Sequence, residues 1–182
     1  MAKKEIMTDL WVYEMLKEIG VQNEFSAQGS NIKEINEALS TASKKGTGKV
    51  GFPEYVGVVK DFLIVIEDKA SINKHINRDE NDLIAEDVKS VTDFAVNGAL
   101  FYGKHLARNT TYKKIIAIGV SGNEKNYRIT PLFIDEREEY KELDDLETFI
   151  SFRVDNIDEY YEREILEIKT NEELKTEEVL KI

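Results

Sequence analysis

Glu54, Glu67 and Lys69, at the ends of two short apolar runs, are the residues of this chain whose types and spacing best suit chemistry. The runs, residues 55–59 and 62–66, are rich in Val, Ile, Phe and Tyr and are separated by Lys60-Asp61, which predicts a β-hairpin. With its turn centred between Lys60 and Asp61, Val59 faces Phe62 and Glu54 faces Glu67. Two carboxylates opposed across a strand pair repel unless a cation lies between them. Strand side chains alternate, so Lys69 shares a face with Glu67, and Asp68 points the other way. Two hard carboxylate oxygens suit Mg²⁺, whose remaining positions go to water and a substrate phosphate. An ammonium beside the ion can orient the attacking water, and the set as a whole suits hydrolysis of a phosphodiester.

Pro53-Glu54, followed after a short apolar strand by Glu67-Asp68-Lys69, resembles the signature of the PD-(D/E)xK nuclease superfamily, with Glu in place of the first Asp. The wider run is similar to the N-terminal nuclease domains of combined restriction-modification polypeptides of the type I and type IIG kind. It includes Ala42-Ser43-Lys44-Lys45-Gly46 before the hairpin and Val96-Asn97-Gly98-Ala99-Leu100 after it. The resemblance spans most of residues 6–165. It implies Glu54, Glu67 and Lys69 as catalytic residues, with Glu54 and Glu67 holding Mg²⁺ or Mn²⁺. An N6-adenine methyltransferase and a specificity region, fused or associated, are implied as partners, and DNA as substrate. An acidic residue on a helix before the hairpin often completes the metal environment in such nucleases, and Glu34 and Glu37 are the local candidates. A catalytically weak nuclease-fold module that binds DNA or serves assembly, and a repair or junction nuclease, are the competing readings of the same triad.

Those residues need a frame. Apolar residues Ile6, Leu10, Tyr13, Leu16 and Ile19 recur at three and four, predicting a first helix capped by Thr8 or Asp9 and ending at Gly20. Residues 31–44 repeat the pattern through Ile32, Ile35, Leu39 and Ala42, with Ser30 or Asn31 as cap. A long helix is expected from Glu86 or Asp87 to Ala107. It is followed by strands over 114–120 and 127–134, with Pro131 near an edge or bend. The expected class is α/β: a restriction-endonuclease-like core in which a central mixed β-sheet, carrying the catalytic hairpin, is flanked by helices.

Several polar residues around this frame are candidates to contact DNA: Lys44, Lys45 and Lys49 in a glycine-rich link, Lys74, His75 and Arg78 after the hairpin, and Asn97 and Tyr102 on the long helix. Each has an ordinary alternative, as a solvated loop residue or, for Tyr102, a core ring with a wet tip. Gly46-Thr47-Gly48-Lys49 lacks P-loop spacing, which argues against nucleotide binding.

The net charge of −11 looks unfavourable for a polyanionic partner, but it is unevenly placed. Residues 1–130 hold 18 basic and 18 acidic side chains, whereas 131–182 hold 7 and 18. The total charge therefore says little about the face around Glu54. The shift suggests a nuclease-like domain over 1–135 and, over 136–182, an acidic helical connector leading to a further domain. Cysteine is absent and histidine occurs twice, which excludes thiol catalysis and disfavours structural zinc. With no membrane-spanning run and no secretory signal pattern, a cytoplasmic protein is expected.

Overall fold

The computed structural model describes residues 3–44 and 51–166. Six strands form one sheet in chain order: β1 (Phe25–Ala27), β2 (Tyr55–Val59), β3 (Phe62–Lys69), β4 (Lys114–Asn123), β5 (Asn126–Ile134) and β6 (Tyr140–Glu142). Neighbours are antiparallel except β3 and β4, which run parallel. A parallel pair needs a crossover, supplied by α3 (Val88–Asp93) and α4 (Ala95–Asn109). The architecture is a mixed α/β sheet flanked by helices and fits a restriction-endonuclease-like core.

Strands β3 and β4 are apolar on both faces because both are covered. On one face, Phe62, Ile64 and Ile66 meet Val12, Met15 and Leu16 of α1 (Lys3–Glu18). On the other, Leu63 and Val65 meet α2 (Lys33–Leu39) and α4 through Ile35, Leu39, Leu100 and Leu106. The hairpin register is as expected, Val59 opposite Phe62 and Tyr55 opposite Ile66, and Lys60 takes the left-handed turn conformation at φ 54°.

Four expectations are corrected. Helix α1 starts at Lys3, so Thr8 and Asp9 lie inside it rather than at its cap. Its buried stripe is Thr8, Val12, Met15 and Leu16, while Leu10 is 59% exposed and Ile6 and Tyr13 also face out. Helix α2 is shorter than residues 31–44, and Ile32 occupies its N-cap position. The long helix breaks at Phe94, whose extended backbone ends α3; Asp87 caps α3 by accepting from Ser90 N, and α4 starts afresh with Val96 N donating to His75 O. Residues 140–165, expected as solvated connector, instead supply β6 and, with α5 (Ile157–Tyr161), bury Leu143, Phe149, Phe152, Ile157, Tyr160 and Ile165 against the α1 face of the sheet. The apolar side chains scattered among the acids hold this segment to the core. Residues 167–182 lie outside the described residues. No helix among the described residues is long and apolar enough to cross a membrane.

Candidate active site

The C-terminal end of β3 carries Glu67, Asp68 and Lys69 between two layers of helix, and alternation sends them to different faces. Glu67 follows Leu63 and Val65 toward α4. Its carboxylate is almost fully buried, with Oε1 accepting from Glu54 N at 3.1 Å and Oε2 from Lys44 Nζ at 2.6 Å. Helix α4 can lie this close because residue 98 is glycine: a Cβ there would stand 2.9 Å from Glu67 Oε2. Lys44 also sits over the Tyr102 ring, 4.9 Å from its centroid.

Asp68 follows Ile64 and Ile66 toward α1, where Asp9 waits on the helix's sheet-facing side. Tyr55 Oη donates to Asp9 O at 2.8 Å and ties α1 to the start of β2. Glu54 precedes the first residue of β2, and one ligand oxygen each from Asp9, Glu54 and Asp68 lies within 4.8 Å of the others. Asp9 Oδ1 and Asp68 Oδ2 are buried and no donor among the described residues reaches them, save a proton shared between the two carboxyl groups themselves.

So many carboxyl groups together resist ionising. Burial, then Asp9 and Glu67, push Glu54 up to about 7, against the lowering influence of Lys69 and Lys44. Asp68 is raised well above the carboxylate range, first by burial, then by its bond to Asp9 and the charges of Asp9, Glu54 and Glu67. The site holds protons that a divalent cation would replace. Hard oxygen donors with orphaned buried lone pairs fit Mg²⁺ or Mn²⁺.

The chain aligns over its whole length, at 35% identity over 184 residues, with the type II restriction enzyme and methyltransferase RM.BcgI of Heyndrickxia coagulans. It spans 28% of that protein's length. No family model and no solved structure matches.

The structure therefore brings together Glu54, Glu67 and Lys44, places Lys69 within electrostatic range of Glu54, and adds Asp9 and Asp68. Glu34 and Glu37 are engaged elsewhere: Glu34 accepts from Thr111 N, and Glu37 sits exposed 3.8 Å from Lys33. The helix acid beside Glu54 is Asp9, one helix earlier.

The expected DNA contacts divide similarly. His75 is buried, not exposed, with Nδ1 2.7 Å from Ser121 Oγ and Nε2 2.6 Å from Thr130 Oγ1. Thr130 Oγ1 donates to Asp145 Oδ1, so it accepts from His75 Nε2–H, and Nδ1 accepts from Ser121. The ring is neutral, pushed down to about 4 by burial and then by Arg128, against Asp145. Asn97 is buried too, clamping the loop before α3 by donating to Asn77 O and Ala85 O and accepting from Asn77 N. Arg78 is engaged by Glu142 at 2.5 and 3.0 Å. Tyr102 is a core ring at the rim of the site. Lys74 stays exposed, over the Phe94 ring. Lys45 and Lys49 lie outside the described residues.

Asp9 and Asp68 were not singled out from the sequence. Asp9 lies half-buried beside the stripe of Thr8 and Val12, and an acid beside such a stripe is the signal that could have found it.

Proposed function

We propose that this chain is the nuclease region of a restriction-modification protein, a metal-dependent endonuclease that hydrolyses DNA phosphodiesters. We read it as a PD-(D/E)xK site formed by Pro53-Glu54 and Glu67-Asp68-Lys69. The observation that carries the proposal is the convergence of Asp9, Glu54 and Asp68, two of them with orphaned buried oxygens, at the end of the strand that presents Glu67 and Lys69. The similarity to a restriction enzyme and methyltransferase supports DNA as the substrate class. A methyltransferase and a specificity region, fused or associated, would choose and protect the target.

Glu54 is the hub, joined to Asp9 and Asp68 on one side and, through its backbone amide, to Glu67 on the other. These carboxylates would hold Mg²⁺ or Mn²⁺, which supplies Lewis-acid stabilisation of charge on the phosphate oxygens. Lys69, half-buried at the strand end, donates to the attacking water and favours hydroxide over water. The oxygen of that water forms the new bond to phosphorus as the bond to the leaving sugar oxygen breaks. The sheet and α4 keep Glu67 from reorienting during the reaction, because α4 closes on its carboxylate at Gly98.

The test is nicking of supercoiled plasmid by the purified chain in Mg²⁺, Mn²⁺ or EDTA, beside Glu67→Ala and Lys69→Ala. Expected is cleavage only with metal, reduced by about a hundredfold or more in each variant. No cleavage in any metal, together with no heat of Mn²⁺ binding in calorimetry, would retire the proposal.

A further inference from the structure

Lys44 is the one described cation placed on the hairpin's buried carboxylate, and nothing in the function above requires it there. Its ammonium lies 2.6 Å from Glu67 Oε2, with side-chain exposures of 17% for Lys44 and 4% for Glu67. The second Glu67 oxygen is held by the Glu54 amide. Each Glu67 oxygen thus has a partner without a metal, whereas Asp9 and Asp68, which converge on Glu54, each keep a buried oxygen that no donor among the described residues reaches. The ammonium lies where a buried carboxylate needs a cation. It supplies positive charge to an oxygen that would otherwise be a buried, uncompensated ligand.

We propose that Lys44 is an exchangeable resident cation: it holds Glu67 in position in the metal-free chain and gives up Glu67 Oε2 when a divalent ion enters. The freed ammonium then becomes available to a phosphate of the substrate backbone. The proposal rests on the metal-dependent reading of the site. Three observations support exchange over a permanent pair. The ammonium rides on a flexible four-carbon stem and can leave without backbone movement. It lies at the exposed side of the pair, so its way out leads to solvent. Its other contact, the Tyr102 ring face, is non-directional and also serves a displaced ammonium. Such an exchange couples the two ligands: metal loading raises affinity for phosphate, and phosphate in turn raises affinity for metal.

Lysine acetylation followed by mass spectrometry on the whole chain reads this directly, with the 88% exposed Lys33 as reference. In EDTA, Lys44 is expected to label about tenfold or more slower than Lys33, and saturating Mn²⁺ to remove most of that protection. Glu67→Gln should free Lys44 in EDTA. In calorimetry, Lys44→Met, with Lys44→Gln as a second variant in case Met misfolds, should bind Mn²⁺ about tenfold tighter than the parent, because the competitor is gone. Protection of Lys44 that persists at saturating Mn²⁺ would overturn exchange and make the pair permanent. Labelling of Lys44 at the Lys33 rate in EDTA would overturn the pair itself. Absence of Mn²⁺ binding in the parent would instead overturn the metal site, and exchange with it, while the Glu67→Gln arm still reports on the ion pair.

Discussion

Two buried polar clusters flank the parallel strands β3 and β4, and they are built to opposite rules. Around His75 every ring and hydroxyl atom is matched: Ser121, the imidazole, Thr130 and Asp145 form one chain of hydrogen bonds that ends at Arg128, 3.0 Å from Asp145. Around Glu54 the same core surrounds carboxylates that repel one another and leave oxygens unpaired. A satisfied buried network fixes structure, while an unsatisfied one stores a demand for a ligand. The strand-end cluster therefore reads as the site and the histidine cluster as its support. His75 O accepts from Val96 N in the first turn of α4, the helix whose Gly98 makes room for Glu67.

The sharpest way to break that contrast is Asp68→Asn. Asp68 is held protonated in the metal-free chain, so an amide of the same shape removes little that folding uses. We expect Mn²⁺ affinity in calorimetry and plasmid nicking each to fall by about a hundredfold or more, with a urea midpoint in EDTA unchanged or higher. A variant that loses stability and keeps metal would reverse the assignment of the two clusters.

His75→Ala is the mirror image. It leaves the Ser121 and Thr130 hydroxyls without their imidazole partner and opens a void against β4 and β5. The expected loss is about 2–4 kcal/mol of unfolding free energy by urea titration, with Mn²⁺ affinity within about threefold of the parent in the fraction that folds.

The clusters also predict opposite responses to pH. Glu54 is raised from its ordinary value of 4.5 to about 7, and Asp68 is raised as well. From pH 4.5 upward the folded chain thus binds more protons than the unfolded one. Stability from these groups is full below their ordinary values and is lost as pH rises through 7. His75, lowered from 6.5 to about 4, has the reverse sign, and its contribution grows from pH 4 to 6.5. Two acids lose stability over the range in which one imidazole gains it, so in EDTA the contribution of these three groups to the urea midpoint should fall from mildly acid pH upward. By pH 9 it should fall by an amount equivalent to about 1–2 kcal/mol after screening, and saturating Mg²⁺ should flatten the fall. A midpoint that rises from pH 6 to 9 in EDTA would contradict the upward shift of the two carboxyl groups at the strand end.

How much of this was legible in the sequence follows from which signals are local. The hairpin was, because two β-branched runs around Lys60-Asp61 leave one register, and that register fixed Glu67 and Lys69 on a common face. Asp68 was correctly turned away from them, but alternation along a strand does not say what packs on the other side. That depends on which stripe α1 buries, and its strongest apolar periodicity, Ile6, Leu10 and Tyr13, faces out. Glu54 reaches the Asp68 side because it lies just outside the regular strand, where the period of two no longer binds. His75 was hidden for a related reason: its partners Ser121 and Thr130 are 46 and 55 residues away, and only the packed sheet joins them. Acidic composition masked residues 140–165, whose buried side chains follow no single helical or strand period.

The smallest expected effect separates the helix acids. Glu37 on α2 sits 68% exposed, with Lys33 at 3.8 Å as its partner, an arrangement worth little in water. Glu37→Ala should change stability by less than about 0.5 kcal/mol and leave Mn²⁺ affinity and nicking where they were. Asp9→Asn on α1 should instead weaken Mn²⁺ binding by about tenfold or more, since its carboxylate stands with Glu54 and Asp68. Measured side by side, the pair decides which helix completes the site: loss of metal in Glu37→Ala with retention in Asp9→Asn would move the candidate centre to the α2 face of the sheet.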